Sequence, residues 1–409
     1  MQKALEGIRV LEVGDQLTQF AGKMLADMGA EVVKVESPNG VEARHIGPFY
    51  RDEPDVNNSL YFWHYNTSKK SITLELGMES DREKFTGLLA QFDVVLEDFT
   101  PGILKEWSLD YDTLSSDYPE LIMCSITPFG QTGPWSQYKM SDLTQLAIGG
   151  VMAVNGYDDV EDAPPIAPTG GQAANIAGYF AAIGIVSALF YREMGQRKGQ
   201  HIDIAVHECV AGSTEYSLPY WEYQKTHVKR HTVRHALPNK SSRWIFKCKD
   251  DRYILCLNTY LDEKRWRELV NWLASKGMEG ELTDERYVDD YFRATNMDNV
   301  CDVLEKFCLE HESEYIFHYA QSINLPWAPV RAPEEMLQDP HLSEDRKAFV
   351  EVEHSELNQS FIYPGAPYIF NNTPWEISSR PPLLGEHNDE FESYYLKDKA
   401  LMKTSEKIK

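Results

Sequence analysis

The sequence predicts an α/β protein built on a parallel, doubly wound sheet, with a smaller α+β domain attached. Three observations lead there. Short apolar strands alternate with helices from Ile8 to Ile122. A long helix, apolar on nearly every face, lies within Pro168–Val206. After Val206–Ser217 the composition shifts to a basic island followed by short strands and helices.

Ile8–Val13 is an apolar strand after Gly7, followed by a helix around Gln19–Met28 and a strand in Gly29–Glu36. That is a βαβ unit, whose crossover requires a parallel sheet. The first turn, Val13-Gly14-Asp15-Gln16, lacks G-x-G-x-x-G, so dinucleotide binding is not supported. Strand Ser71–Leu76, helix Asp81–Gln91, strand Asp93–Asp98, a helix near Ile103–Trp107 and a strand in Pro119–Ile122 continue the alternation. Ser125–Gly133 reads as a turn-rich loop at a strand's carboxyl end, where open α/β sheets place ligands. The next helix is expected to carry Lys139 and Asp142, and an acidic loop, Tyr157–Pro168, leads to the central helix.

A helix apolar all round belongs inside a large protein. At about 17 residues, and rich in Gly and Ala, it is expected to be too short for a membrane span, and no uncharged apolar run is expected to reach the ~18 residues of one. Gly170 and Gly171 precede its first turn, whose unpaired N–H groups would hold an anion, a phosphate or a developing oxyanion. The competing reading is a plain core helix.

Lys225–Lys249 contains Lys225, His227, Lys229, Arg230, His231, Arg234, His235, Lys240, Arg243, Lys247 and Lys249. It reads either as a solvated charged face or as a phosphate-facing loop. Beyond it, short strands (Trp244–Lys247, Tyr253–Asn258) alternate with helices (Glu263–Ala274, Met297–Leu309, Ser313–Ser322). Pro326–Val330, Pro364-Gly365 and Pro381-Pro382 mark a loop-rich return segment, and the tail from Lys397 is polar. The expected domain boundaries are therefore 1–215, 216–325 and 326–409. The aromatics Tyr61, Phe62, Trp63, Tyr65, Tyr216, Tyr220, Trp221 and Tyr223 read as core or as a pocket lining.

The 409 residues are 42% hydrophobic and 25% charged, an ordinary globular composition with room for two domains. A net charge of −24 disfavours nucleic acid or an anionic membrane as partner. Cys124, Cys209, Cys248, Cys256, Cys301 and Cys308 form no CxxC pair and no metal-ligand spacing, so reduced thiols in the cytoplasm and no metal are expected. MQKALEGIRVLEVG shows no signal-peptide pattern.

Several segments resemble the class III CoA-transferases, the group that includes formyl-CoA transferase, carnitine CoA-transferase and α-methylacyl-CoA racemase. They are Leu25–Pro38 with Arg44 beyond; Asn66 and Lys69–Ile72; Glu97–Gly102; Phe129–Pro134; Gly195–Gln200; Ala328–Arg331; and Leu384–His387. Each is weak alone, and their order and spacing together are specific. The resemblance implies a Rossmann-like large domain made from both chain ends, which binds CoA, and a small domain from the middle. It also implies a homodimer threaded as interlocked rings, with acyl-CoA and a carboxylic acid as substrates. By position, Leu74, Asp98, Phe99 and Lys139 match CoA-contacting places, and Lys105 can partly replace an arginine that some members have at Glu106.

The resemblance also marks departures. The transferases' nucleophilic aspartate falls on Ala174, the racemase histidine on Ser141, and Leu17-Thr18-Gln19 stands where a Gly-Pro is usual. Asp142 matches a carboxylate position and is the candidate for acid–base work, although a helix-surface carboxylate is the simpler reading. Gln172, Asn175 and Thr169 are the polar groups left beside Ala174. Asp158, Asp159, Glu161 and Asp162 would lend a carboxylate only from a shifted backbone. Three functions stay open: a CoA-transferase with an atypical active site; a lyase, hydratase or isomerase acting on an acyl-CoA through an oxyanion hole at Gly170–Asn175; and a catalytically silent CoA-binding subunit.

Overall fold

The computed structural model describes residues 2–392 apart from 215, 233, 235, 240, 241 and 258–260. Its centre is a six-stranded sheet in the order β3-β2-β1-β4-β5-β6. The strands are β1 (Arg9–Val13), β2 (Glu31–Glu36), β3 (Lys69–Thr73), β4 (Val94–Glu97), β5 (Ile122–Thr127) and β6 (His201–Ala205), and every pairing is parallel. β4 and β5 are buried at every residue, and β1 and β2 at all but their first, because helices cover both faces. The helices are α1 (Gln19–Asp27), α2 (Leu60–Tyr65), α3 (Glu79–Leu89), α4 (Ile103–Glu106), α5 (Tyr111–Leu114), α6 (Asp142–Ile148), α7 (Gln172–Tyr191) and α8 (Val206–Gly212). Strand order reverses between β1 and β4, the kind of place where open α/β sheets put their ligands. The α/β expectation stands.

On one sheet face Leu11, Val13, Val33, Val35, Val95 and Met123 pack against Phe85, Leu88 and Leu89 of α3 and Leu114 of α5. Alternation sends Glu12 and Lys34 to the other face. There Lys34 and Lys69 each lie 2.7 Å from the Glu12 carboxylate, all three side chains fully buried. Lys34 also donates to the Gly14 carbonyl at 2.8 Å and Lys69 to the Gln19 carbonyl at 2.8 Å, which pins the β1–α1 loop to the sheet.

Three sequence expectations need correction. The central helix α7 has 20 residues, not about 17. Counted to Gly195, the stretch is long and apolar enough, by length and composition, to cross a membrane, with 44% of it buried. It is not apolar because it is surrounded: Ala173, Ala177, Gly178, Ala181, Ile185, Ala188 and Leu189 are buried, while Tyr179, Phe180, Ile183, Val186 and Phe190 are exposed. Ser125–Thr127, expected in a loop, belong to β5, whose side chains are all buried. The return segment holds a hairpin, β10 (Phe349–His354) with β11 (Gln359–Pro364), signalled by the alternation in FVEVEH.

The chain divides into two compact units. One comprises Met1–Val151, Pro168–Thr214 and Pro340–Lys409; the other comprises Met152–Ala167 and Glu215–Asp339. Against the expected boundaries, the smaller unit also takes the acidic loop and runs to Asp339. It holds β7 (Ile245–Lys247), β8 (Tyr253–Leu255) and β9 (Ala328–Pro329) in one sheet. Its core includes Trp266, Trp272, Trp327 and Phe307 with Cys248, Cys256 and Cys308. All six cysteines are free and buried.

Within that unit much of the basic island meets acid or carbonyl partners. Arg230 donates to the carbonyls of Tyr157 and Ala163, Asp158 accepts from the Thr232 N–H at 2.8 Å and sits 3.1 Å from His231, and Arg243 pairs with Asp302 and Glu305. His235, Lys240 and Asn258 lie outside the described residues, as does the tail from Lys397. Asp158 is thus committed inside the smaller unit.

Candidate active site

The site begins with two glycines. Gly170 and Gly171 adopt φ of 92° and 65°, left-handed conformations that glycine reaches without steric cost. They turn the chain into α7, whose N-cap, Gly171, has no side chain to satisfy the first-turn N–H groups. Asp142 supplies the missing acceptor. Its Oδ1 takes the N–H of Ala173 at 2.8 Å and that of Ala174 at 3.3 Å. A carboxylate at this end of a long helix is favoured by the partial positive charge there.

Asp142 is held from its own side as well. It is the first residue of α6, whose N-cap Ser141 forms a reciprocal capping box with Thr144. Lys139 therefore lies before the helix and not in it, exposed and in no ion pair among the described residues.

The side chains expected to polarise a substrate carbonyl are spent on the turn. Gln172 Nε2 donates to the Thr169 carbonyl at 3.0 Å, and Asn175 Nδ2 to the Gly170 carbonyl at 3.1 Å. Asn175 Oδ1 accepts the Tyr65 hydroxyl at 3.0 Å. With Ala173 and Ala174 N–H on Asp142, the open oxyanion hole expected over 170–175 is largely filled from within. Tyr61 and Tyr65, a helical turn apart on α2, complete the site. Burial pushes both phenols up, and the nearby Asp142 carboxylate adds to the shift, so both stay protonated at neutral pH. In the sequence both tyrosines read as core or as a pocket lining, with no link to Asp142. Their i, i+4 spacing was the available signal.

The expected CoA contacts are not gathered in one cavity. Phe99 and Lys105 line a cleft of about 360 Å³ with Glu97, Tyr111, Ser125, Gln131 and His201. Leu74 lines another, of about 250 Å³, with Ile72, Lys84, Leu88, Asn388 and Phe391. Asp98 turns inward. Its oxygens accept from the N–H of Asp15 at 2.9 and 3.0 Å and of Leu17 at 3.1 Å, and burial, with Asp15 adding repulsion, raises its carboxyl to about 6. Asp98 thus shapes the β1–α1 loop. At the floor of the larger cleft, Ser125 Oγ lies 2.8 Å from His201 Nε2, and His201 stacks on Tyr111 at 5.6 Å.

Comparison with known proteins covers nearly the whole chain. The model of CoA-transferase family III matches residues 5–388. Subunit BbsE of succinyl-CoA:(R)-benzylsuccinate CoA-transferase from Thauera aromatica is 31% identical over 387 residues, 93% of this chain and 92% of that one. Formyl-CoA:oxalate CoA-transferase from Streptomyces coelicolor is 30% identical over 401 residues, 95% and 94% of the two chains. A crystal structure of a CAIB/BAIF family protein from Brucella suis superposes with a TM-score of 0.83 at 27% identity, covering 97% of this chain and 100% of that one.

Proposed function

This chain belongs to CoA-transferase family III, and from that membership we propose that it moves CoA from an acyl-CoA donor to a free carboxylic acid. The end-to-end family match carries the reading. A carboxylate, a helix N-terminus and two phenols meet at one place in the larger unit, as chemistry on a thioester carbonyl requires. Lys105 and Lys139 supply positive charge for the phosphates of CoA in a chain of net charge −24. The active site is atypical in having Ala174 at the place that the resemblance gives to the nucleophilic aspartate. The protein works as a homodimer in the cytoplasm, the exposed apolar face of α7 covered by a second copy.

Ala174 favours a second reading, a CoA-binding subunit whose catalytic carboxylate comes from a different chain. The relative from T. aromatica is itself named as a subunit. A lyase, hydratase or isomerase has less support, because the N–H groups it would use are taken by Asp142.

The test is direct. The purified chain is incubated with succinyl-CoA or formyl-CoA and with succinate, oxalate or (R)-benzylsuccinate, and CoA esters are separated by chromatography. A new acyl-CoA at the expense of the donor is expected. Donor binding by calorimetry without any exchange would favour the silent subunit, and neither binding nor exchange would refute both readings.

A further inference from the structure

We propose that this protein takes up a proton when it binds CoA, and that Glu97, in the cleft it shares with Phe99 and Lys105, is the group that receives it. The proposal deepens the transferase reading and rests on it.

The cleft of about 360 Å³ is walled by the end of β4 and the turn that follows it, with β5 and β6 behind. Lys105 is exposed there and in no ion pair among the described residues, so its charge is available to a bound phosphate. Glu97 works against that charge. It is 2% exposed and pairs with no cation among the described residues. Asp98 beside it and Asp203 on β6 repel its negative charge, and Cys124 on β5 is close enough to feel it. Asp110 and Asp112 also line the cleft, on either side of Tyr111. A buried carboxylate among acids holds its charge only at high cost, and its carboxyl stands at about 7. Near neutral pH about half of the molecules therefore carry the proton.

The proton has a path. Glu97 Oε2 accepts the Phe99 N–H at 2.7 Å, and Ser125 also hydrogen-bonds to the carboxylate. Ser125 Oγ lies 2.8 Å from Nε2 of His201, whose side chain is exposed. With Ser125 donating to Glu97, its oxygen accepts from His201, so a hydrogen-bonded chain joins the buried carboxyl to solvent. Protonation leaves one oxygen of Glu97 free to accept from Phe99 and removes the charge that a polyanion would meet in this poorly solvated wall. The balance is simple: protein, CoA and one proton give the complex, and no covalent bond changes.

Linkage fixes the sign. A ligand that prefers the protonated form raises the Glu97 carboxyl further and is held more weakly as pH rises through ~7. If the protonated form alone binds, affinity falls about tenfold between pH 6 and pH 8. A purely structural role for Glu97 predicts no such profile.

The experiment is calorimetry of the intact protein with CoA at pH 6, 7 and 8, in two buffers of different ionisation enthalpy, for wild type and Glu97→Gln. CoA's own phosphate titrates in the same range, and its contribution cancels between the two proteins. Wild type is expected to lose about tenfold more affinity from pH 6 to pH 8 than the variant, and to take up about half a proton more at pH 7. Infrared difference spectra of wild type at pH 7 are expected to show the protonated-carboxyl band grow when CoA is added, a readout that needs no variant. Equal pH dependence in the two proteins, or no growth of that band, overturns the proposal and leaves the transferase reading standing. A wild-type chain that binds no CoA at any of the three pH values overturns both.

Discussion

At the end of β4, burial pushes the Glu97 carboxyl up to about 7, with Asp98 and Asp203 adding repulsion against the hydrogen bonds from Ser125 and the Phe99 N–H. Because the folded-state value is raised above the ordinary 4.5, the folded protein keeps a proton that the unfolded chain releases. Stability from this group is full below pH ~4.5 and is lost as pH rises through ~7, by on the order of 3 kcal/mol. Glu97→Gln is therefore expected to be more stable than wild type at pH 8, with little gain near pH 4.5. Urea unfolding at the two pH values checks this; an equal difference at both would show that Glu97 is not raised. Glu12 behaves in the opposite sense. Burial alone would raise its carboxyl, but Lys34 and Lys69 together hold it below the usual range. Glu12→Gln leaves two buried lysines without their anion and is expected to cost about 3–5 kcal/mol in the same assay. In the sequence, Glu12 and Lys34 read only as charges interrupting apolar strands. Lys69, far along the chain, gives no local sign that it meets them.

Among the elements, α1 lies unusually close to β1. A Cβ on Gly22 would sit 2.0 Å from Glu12 Oε2 and 3.0 Å from Lys69 Nζ, so the helix can approach the charged triad only through glycine. Gly22→Ala is expected to destabilise by about 1–3 kcal/mol or more and to loosen the β1–α1 loop that Lys34 and Lys69 pin. Thermal unfolding measures the first effect and hydrogen exchange at Asp15–Thr18 the second. The helix and its βαβ unit were legible from apolar spacing. The strand register was not: β5 extends to Thr127 because Ser125 and Thr127 are buried by their neighbours, although Ser, Thr and Pro in SITP read locally as a turn. The capping of α7 by Asp142 was equally invisible, since the carboxylate stands 31 and 32 positions before the two N–H groups it satisfies.

For the whole molecule, the open face of α7 is the feature that asks for a partner. Ile183 is 63% and Phe190 66% exposed, with Tyr179, Phe180 and Val186 beside them. Monomeric proteins rarely leave so continuous an apolar surface in water. The proposal that a second copy covers it is tested by Ile183→Glu: light scattering is expected to show a dimer for wild type and a monomer, or a loss of soluble protein, for the variant. A monomeric wild type at micromolar concentration would remove the homodimer from the account.

The sequence by itself determined the α/β class, the parallel sheet, the smaller α+β region and the family pattern, because those follow from local periodicity and from short motifs in fixed order. It also located the glycine turn and showed that residue 174 carries no nucleophile. Only the tertiary structure decided which carboxylate stands at that turn and that its two oxygens differ. It also separated Phe99 and Lys105 from Leu74 and turned Asp98 inward. Those outcomes depend on where distant segments meet, and on which polar groups burial forces into pairs, and neither is written in the neighbourhood of any one residue.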